Sequence, residues 1–238
     1  MGRVASKRAD VLSVAMLVAI TAAAAWAVSY AFDAERAGER SAAIALAATY
    51  GVLTACAIAW AARTRRVKAW LLPHSGDLAR GLVCAAFVFA CAFGVVKLVT
   101  MNASPHAAWM ARIYLQIGDT KPIREHEAIA GMYIALMAVM EEIVWRGWAR
   151  ALLEDLIGAR FGWIASAVLY ALAHLPSLWA LADTTVGNNP LVVLGALGAG
   201  LVWSAMARFW GRLIPSIVCH ALFDWTALVL FRLWGPSV

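Results

Sequence analysis

The stretches Val11–Phe32 and Ser41–Ala62 are nearly uninterrupted apolar runs. Each exceeds the roughly 18–20 residues that carry a helix across a bilayer core. This leaves few architectures open. In hydrocarbon every backbone N–H and C=O must be satisfied within the protein, so a spanning segment is a helix or a strand of a closed barrel. Barrel strands are shorter and alternate in polarity, which these runs do not. Composition agrees, with 63% hydrophobic and only 14% charged residues among 238, against about half and a quarter in a soluble domain. The expected fold is all-α: a polytopic transmembrane helical bundle of about seven spans (roughly six to eight) with a membrane-embedded polar site. It should form one integral membrane domain over residues 1–238. The expected spans are 11–32, 41–62, 82–100, 127–146, 161–179, 190–207 and 213–231, with Gly147–Arg160 continuing the fourth as a charged extension.

The net charge of +6 does not point to nucleic acid, because Lys and Arg cluster in short loops between apolar segments. The N-terminus, Arg63–Arg80, Arg146–Arg160 and Arg208–Arg212 hold thirteen of them. The opposite side holds six: Arg36, Arg40, Arg112, Lys121, Arg124 and Arg232. The positive-inside bias therefore places the N-terminus in the cytoplasm, and the short alanine-rich loops suggest a bacterial inner membrane. Arg3, Lys7 and Arg8 precede an apolar run longer than a signal-peptide core, so a retained first span is expected. The lipid bilayer is then an obligate partner.

Other features have plain readings. Cys56, Cys84, Cys91 and Cys219 lie in apolar segments without a C-x-x-C pattern and are read as buried, unpaired thiols. Trp60, Trp70, Trp179, Trp210 and Trp234 fall near span ends, where indoles anchor at the interface, and Lys97 is placed to snorkel. Gly195 with Ala199, and Ala196 with Gly200, have the small-xxx-small spacing of closely packed helices. Ala107–Glu127 mixes apolar and charged residues, as an interfacial helix, a lid or a connecting loop would. His74, His106 and His126 read as solvent-facing, and Asn188-Asn189-Pro190 as a turn.

Against this background, ionisable residues inside apolar stretches stand out: Glu141 with Glu142, His174, and His220 with Asp224. Each costs a few kcal/mol in hydrocarbon, so such groups face a polar cavity and mark function. On a helix, Glu142 and Arg146 are i,i+4 neighbours suited to an ion pair, while Glu141 points about 100° away. One carboxylate is then structural and the other available for chemistry. Tyr170 with His174, and His220 with Asp224, share the same one-turn spacing. The spacing also links the segments. With a turn at Gly158, Glu141 lies seventeen residues before it and His174 sixteen after it. At about 1.5 Å per residue both stand about 25 Å from the turn. Asp224, thirteen residues beyond a turn near Gly211, stands about 20 Å along its own helix. The three segments can converge at one depth.

These motifs, in this order on separate membrane helices, resemble the CAAX protease and bacteriocin-processing (CPBP, or Abi) family of intramembrane proteases, which includes type II CAAX prenyl endopeptidases of the Rce1 kind. The family pattern is E-E-x-x-x-R, F-x-x-x-H, then H-x-x-x-N or H-x-x-x-D. It is matched by Glu141-Glu142…Arg146, Tyr170…His174 and His220…Asp224. The resemblance covers residues 127–231, and the spans within 1–100 carry no matched motif. Tyr170 replaces the usual Phe, and Asp224 stands where eukaryote-like members have Asn. An ionised Asp cannot donate to an oxyanion, so a simple oxyanion-hole role does not suit residue 224.

The resemblance implies an endopeptidase acting on a membrane-associated protein or peptide, with bacteriocin maturation among the possibilities. It implies Glu141 as general base, His174 as orienting the water or protonating the leaving amine, and His220, helped by Asp224, as stabilising the oxyanion. Glu142, Arg146 and Tyr170 would be supporting residues. A metal-free mechanism is favoured and no cofactor is expected. A divalent metal such as zinc held by Glu141, His174, His220 and Asp224 is the alternative. Two rival functions use the same residues: a proton-coupled transporter, and a non-proteolytic scaffold or bacteriocin-immunity protein.

Overall fold

A computed structural model describes residues 2–101, 104–118, 123 and 125–230. Lys121, Arg124, Arg232 and Trp234, counted above, lie outside the described residues, as does the end of the last expected span at residue 231. Among the described residues, six helices are long and apolar enough to cross a membrane. They lie within α1 (Gly2–Ala31), α2 (Arg40–Arg63), α4 (Asp77–Thr100), α6 (Glu127–Ile157), α7 (Ala159–Ala173, extended by a turn and short α8, Ser177–Ala180) and α9 (Leu191–Trp210). Two further short helices, α3 (Val67–Leu71) and α5 (Ala107–Ile117), lie between spans. The seventh expected span is α10 (Ile214–Trp225), whose apolar helical stretch runs over Ile214–Leu228 and is shorter than the others. Among the described residues there is no named strand, and the isolated bridge Asp183–Gly187 closes a loop.

The turns expected from glycine are present. Gly158 (φ 84°) separates α6 from α7, and Gly211 (φ 69°) caps α9 in the left-handed region, where a side chain would be strained. Pro215 in the first turn of α10 sits where a missing N–H costs nothing. Pro176 follows His174 closely, and α7 stops at Ala173 with His174 as its cap.

Between lipid-facing helices apolar burial drives little, so close packing and specific polar contacts hold the bundle. In α2, Tyr50, Thr54, Ala57 and Ala61 recur at spacings of four and three and make one seam, from which Tyr50 and Thr54 bond to α6. Tyr50, Ala57 and Ala61 are at most 1% exposed. On α6, Gly147 leaves room for the Trp70 indole, which lies 2.9 Å from where a Cβ would stand. Trp70 is therefore a packed core residue, stacked on Trp60, and not the interfacial anchor expected from its position. Asp77 is buried at the start of α4, where it accepts hydrogen bonds from Arg212 (2.8 Å), Arg80 (3.3 Å) and the His74 backbone N–H (2.9 Å). This carboxylate ties α4 to the α9–α10 turn.

The Ala107–Glu127 segment does contain a helix, α5. Asn189, fully buried rather than a loose turn residue, donates from its side chain to the Trp109 carbonyl, and Gln116 donates to the Ala31 and Asp33 carbonyls. His74, His106 and His126 are exposed. Of the cysteines, only Cys219 is fully buried, whereas Cys56 and Cys91 face outward, so the expectation of four buried thiols fails for those two.

Candidate active site

The polar residues form two tiers. The inner tier is Glu142, Arg146 and His220, with side chains at most 3% exposed. Arg146 Nη1 approaches Glu142 Oε1 at 3.1 Å, one turn apart on α6. The guanidinium lies over the Tyr170 ring (4.3 Å) and near the Trp203 ring (5.0 Å), whose electron-rich faces suit a cation. His220 Nδ1 lies 3.0 Å from Glu142 Oε1 and Nε2 3.4 Å from Asp224 Oδ2. A carboxylate at each nitrogen makes both donors. The imidazole stacks on Trp203 at 3.7 Å and 18°, and Trp203 donates its indole N–H to Cys219 Sγ at 3.2 Å.

Close approach here depends on Gly200 of α9. A Cβ at that position would lie 3.1 Å from Tyr170 Cδ1 and 3.2 Å from Arg146 Nη2. The small-residue spacing on α9 thus has its tightest contact at the polar site, whereas Gly195 faces open space. Gly200→Leu is expected to displace both partners and lower thermal stability by about 1–3 kcal/mol. Gly195→Leu, measured beside it in the same detergent, should be near neutral.

The outer tier is Glu141, Tyr170, His174 and Asp224. Tyr170 donates its hydroxyl to Glu141 Oε2 at 2.9 Å. His174 Nδ1 lies 2.8 Å from the Tyr170 carbonyl, which can only accept, so Nδ1 carries the proton and Nε2 is left as acceptor on the neutral ring. The Tyr170 and His174 rings meet edge-on at 4.6 Å. Glu141 and His174 are partly exposed and the Asp224 side chain is 33% exposed. Two adjacent glutamates therefore have opposite surroundings, one sealed against a guanidinium and an imidazole, the other reachable.

A local distortion of α6 separates them from the rest of the helix. Ile143–Ala149 is a π-helical stretch, beginning directly after Glu142. Such wider turns free carbonyls from the regular ladder and recur at functional sites. Here Ser166 of α7 donates to the Trp145 carbonyl and Arg150 Nε to the Arg146 carbonyl, both at 2.7 Å. A second π-helical stretch, Thr226–Leu230, follows Asp224.

The structure places all seven residues singled out in the sequence, on α6, α7 and α10. It joins Glu142 to Arg146 and His220, His220 to Asp224, and Tyr170 to Glu141. Among the described residues no hydrogen bond joins Glu141 to His174 or to His220. Also among them, no group of three or more His, Cys, Asp or Glu side chains is gathered closely enough to hold a metal ion. Sequence reasoning missed Trp203, which stacks on His220, and Tyr50 of α2, which accepts from the Trp145 indole at 3.1 Å. Neither belongs to a motif. The only sequence signal for Tyr50 is its place in the α2 seam.

Residues 127–226 match the family model described as type II CAAX prenyl endopeptidase Rce1-like, so this part of the chain carries a domain of the family that the ordered motifs resemble. The match runs from the start of α6 through α10 and leaves α1–α5 outside. No curated protein and no solved structure matches the chain. At family level the domain supports a CAAX-protease-like intramembrane endopeptidase with a membrane-associated substrate.

Proposed function

We propose that the protein hydrolyses a peptide bond of a membrane-associated protein or peptide, using water activated by Glu141. The observation that carries this is the contrast between the glutamates: Glu142 is sealed and engaged by Arg146 and His220, while Glu141 is reachable and held by one tyrosine hydroxyl. Glu141 takes a proton from water as the water oxygen attacks the scissile carbonyl. His174 Nε2 accepts the water's other hydrogen and orients it. The tetrahedral oxyanion takes a hydrogen bond from His220 Nε2–H, a donor that Asp224 holds at 3.4 Å. Asp224 thus acts as an acceptor that aims His220, the role open to an ionised carboxylate. The proton on Glu141 then passes to the leaving nitrogen as the C–N bond breaks. The N-terminus is assigned to the cytoplasm on the Lys/Arg distribution, and the membrane to the bacterial inner membrane on the short alanine-rich loops.

The mechanism routes no step through a metal. The test uses purified protein in liposomes with membrane-anchored reporter peptides, one farnesylated at a C-terminal CAAX sequence and one acylated without it, read by mass spectrometry. Cleavage at one peptide bond is expected, unchanged after prolonged chelation and dialysis. Activity lost to the chelator and restored by zinc would replace this mechanism with the metal-dependent one. Proton-coupled uptake without cleavage of either reporter would favour transport.

A further inference from the structure

Four charged residues of α6 recur at spacings of four: Glu142, Arg146, Arg150 and Glu154. On a helix that spacing makes one row along one face, and each member is joined to the next. Arg146 Nη1 approaches Glu142 Oε1 at 3.1 Å, Arg150 Nε donates to the Arg146 carbonyl at 2.7 Å, and Arg150 Nη1 donates to Glu154 Oε1 at 2.7 Å. Arg208 of α9 closes the row, its Nε 3.9 Å from the same Glu154 oxygen. Side-chain exposure rises in order, from 0% at Glu142 and Arg146 to 9%, 20% and 40% at Arg150, Glu154 and Arg208. The row therefore leads out of the sealed inner tier toward the bundle end formed by the Gly158 and Gly211 turns. From Glu142 to Glu154 it covers about 18 Å of helix.

Helix α9 runs beside this row in matching register. A Cβ on Gly200 would lie 3.2 Å from Arg146 Nη2, and Arg208, eight residues on, meets Glu154, eight residues beyond Arg146. Ser204 is one turn from each on the same face, and so stands at the level of Arg150. It is fully buried, and among the described residues its hydroxyl has no hydrogen-bond partner. The same holds for Glu142 Oε2 and for Nε, Nη1 and Nη2 of Arg146. Donors and acceptors from two helices are left over along one line. Leaving such buried groups unpaired is costly. A small molecule that both donates and accepts suits this mixed set, and water is one.

We propose that the row is a hydrated file: water bridges Ser204, Arg146 and Glu142 Oε2, and passes along it to the site. Glu142 adjoins Glu141 in the chain and shares His220 with Asp224, so water at its free oxygen borders the outer tier. Each hydrolysed bond consumes one water, which hydrocarbon does not supply. The delivery role rests on the reading of Glu141 as the residue that activates water. The hydration of the file does not.

Radiolytic hydroxyl-radical labelling in 18O-labelled water tests this on the full chain in liposomes, because radicals born from internal water oxidise the side chains beside it. Ser204→Cys places a readily oxidised group of nearly the same size in the file. The introduced thiol is expected to take up 18O about fivefold or more faster than the native, fully buried Cys219, whose sulfur is engaged by the Trp203 indole. Labelling no faster than that of Cys219 would overturn the file. Ser204→Val fills the place of a bridging water and offers it no hydrogen bond. Its kcat on a cleaved reporter is expected to fall about tenfold, with KM within about twofold of the parent and an unchanged detergent elution profile. Parent-like kcat would overturn the delivery role. Rapid labelling in a protein that cleaves no reporter would sink the hydrolytic reading and leave the hydrated file standing.

Discussion

Glu141→Gln is expected to lower reporter cleavage by about a thousandfold or more, within the range lost when a general base is removed. The substitution preserves volume, and its amide oxygen can still accept from Tyr170, so the contact seen at 2.9 Å survives. What disappears is the ability to take a proton from water. Expression, detergent elution profile and thermal midpoint should match the parent, which separates lost chemistry from lost fold. His174→Ala is expected to fall comparably, with some recovery in His174→Gln, whose side chain can still accept from water. Parent-like cleavage by both Glu141→Gln and His174→Ala would end the glutamate mechanism and return the site to the transport or scaffold readings.

The largest effect on stability is expected from the neighbouring residue. Glu142→Ala strands two groups at once. Arg146 is fully buried, and among the described residues its Nε, Nη1 and Nη2 find no aligned hydrogen-bond acceptor even with Glu142 present. The 3.1 Å approach to Glu142, with the Tyr170 and Trp203 ring faces, is what compensates its charge. His220 also loses the acceptor of its Nδ1–H. Removing one partner of such a buried pair costs about 3–5 kcal/mol, a drop on the order of 10 °C in thermal midpoint for a chain of this size. The double variant Glu142→Met/Arg146→Met should recover a large part of that loss, because apolar replacements of similar volume remove the stranded charge. A midpoint for Glu142→Ala within about 2 °C of the parent would mean that the inner tier is not the ion-pair anchor described.

The contrast between these two variants follows from a distinction already present in the sequence. Helical spacing alone pairs Glu142 with Arg146 and turns Glu141 elsewhere, and residue counting from Gly158 puts Glu141 and His174 at one level. Helical periodicity makes such i,i+4 relations and hairpin depths readable, and long apolar runs make spans readable. Contacts between distant segments are not readable in this way. Nothing in the motif predicts that His220 meets Glu142 as well as Asp224, that Trp203 stacks on its ring, or that Trp70 fills the space over Gly147. Tyr50 was invisible for the same reason: it lies 95 positions from its partner Trp145, in a span with no charge to draw attention. Asp77 was overlooked because it sits in a loop rich in Arg, where carboxylates are ordinarily solvated. Asn189 was read by local turn chemistry, although its side chain spends its donor on α5.

The π-helical stretch at Ile143–Ala149 has one more consequence, concerning angular phase. A regular helix advances about 100° per residue, and a wide turn absorbs a residue without that advance. The stretch therefore works as a phase adjuster between two halves of one long helix. Upstream, the glutamates are aimed by their fit to α2, α7 and α10. Downstream, Arg150–Ile157 is aimed by its packing on α7 up to Gly158. The two orientations are set independently, so the carboxylate end can keep its bearing on the site while the other half keeps its bearing on the hairpin.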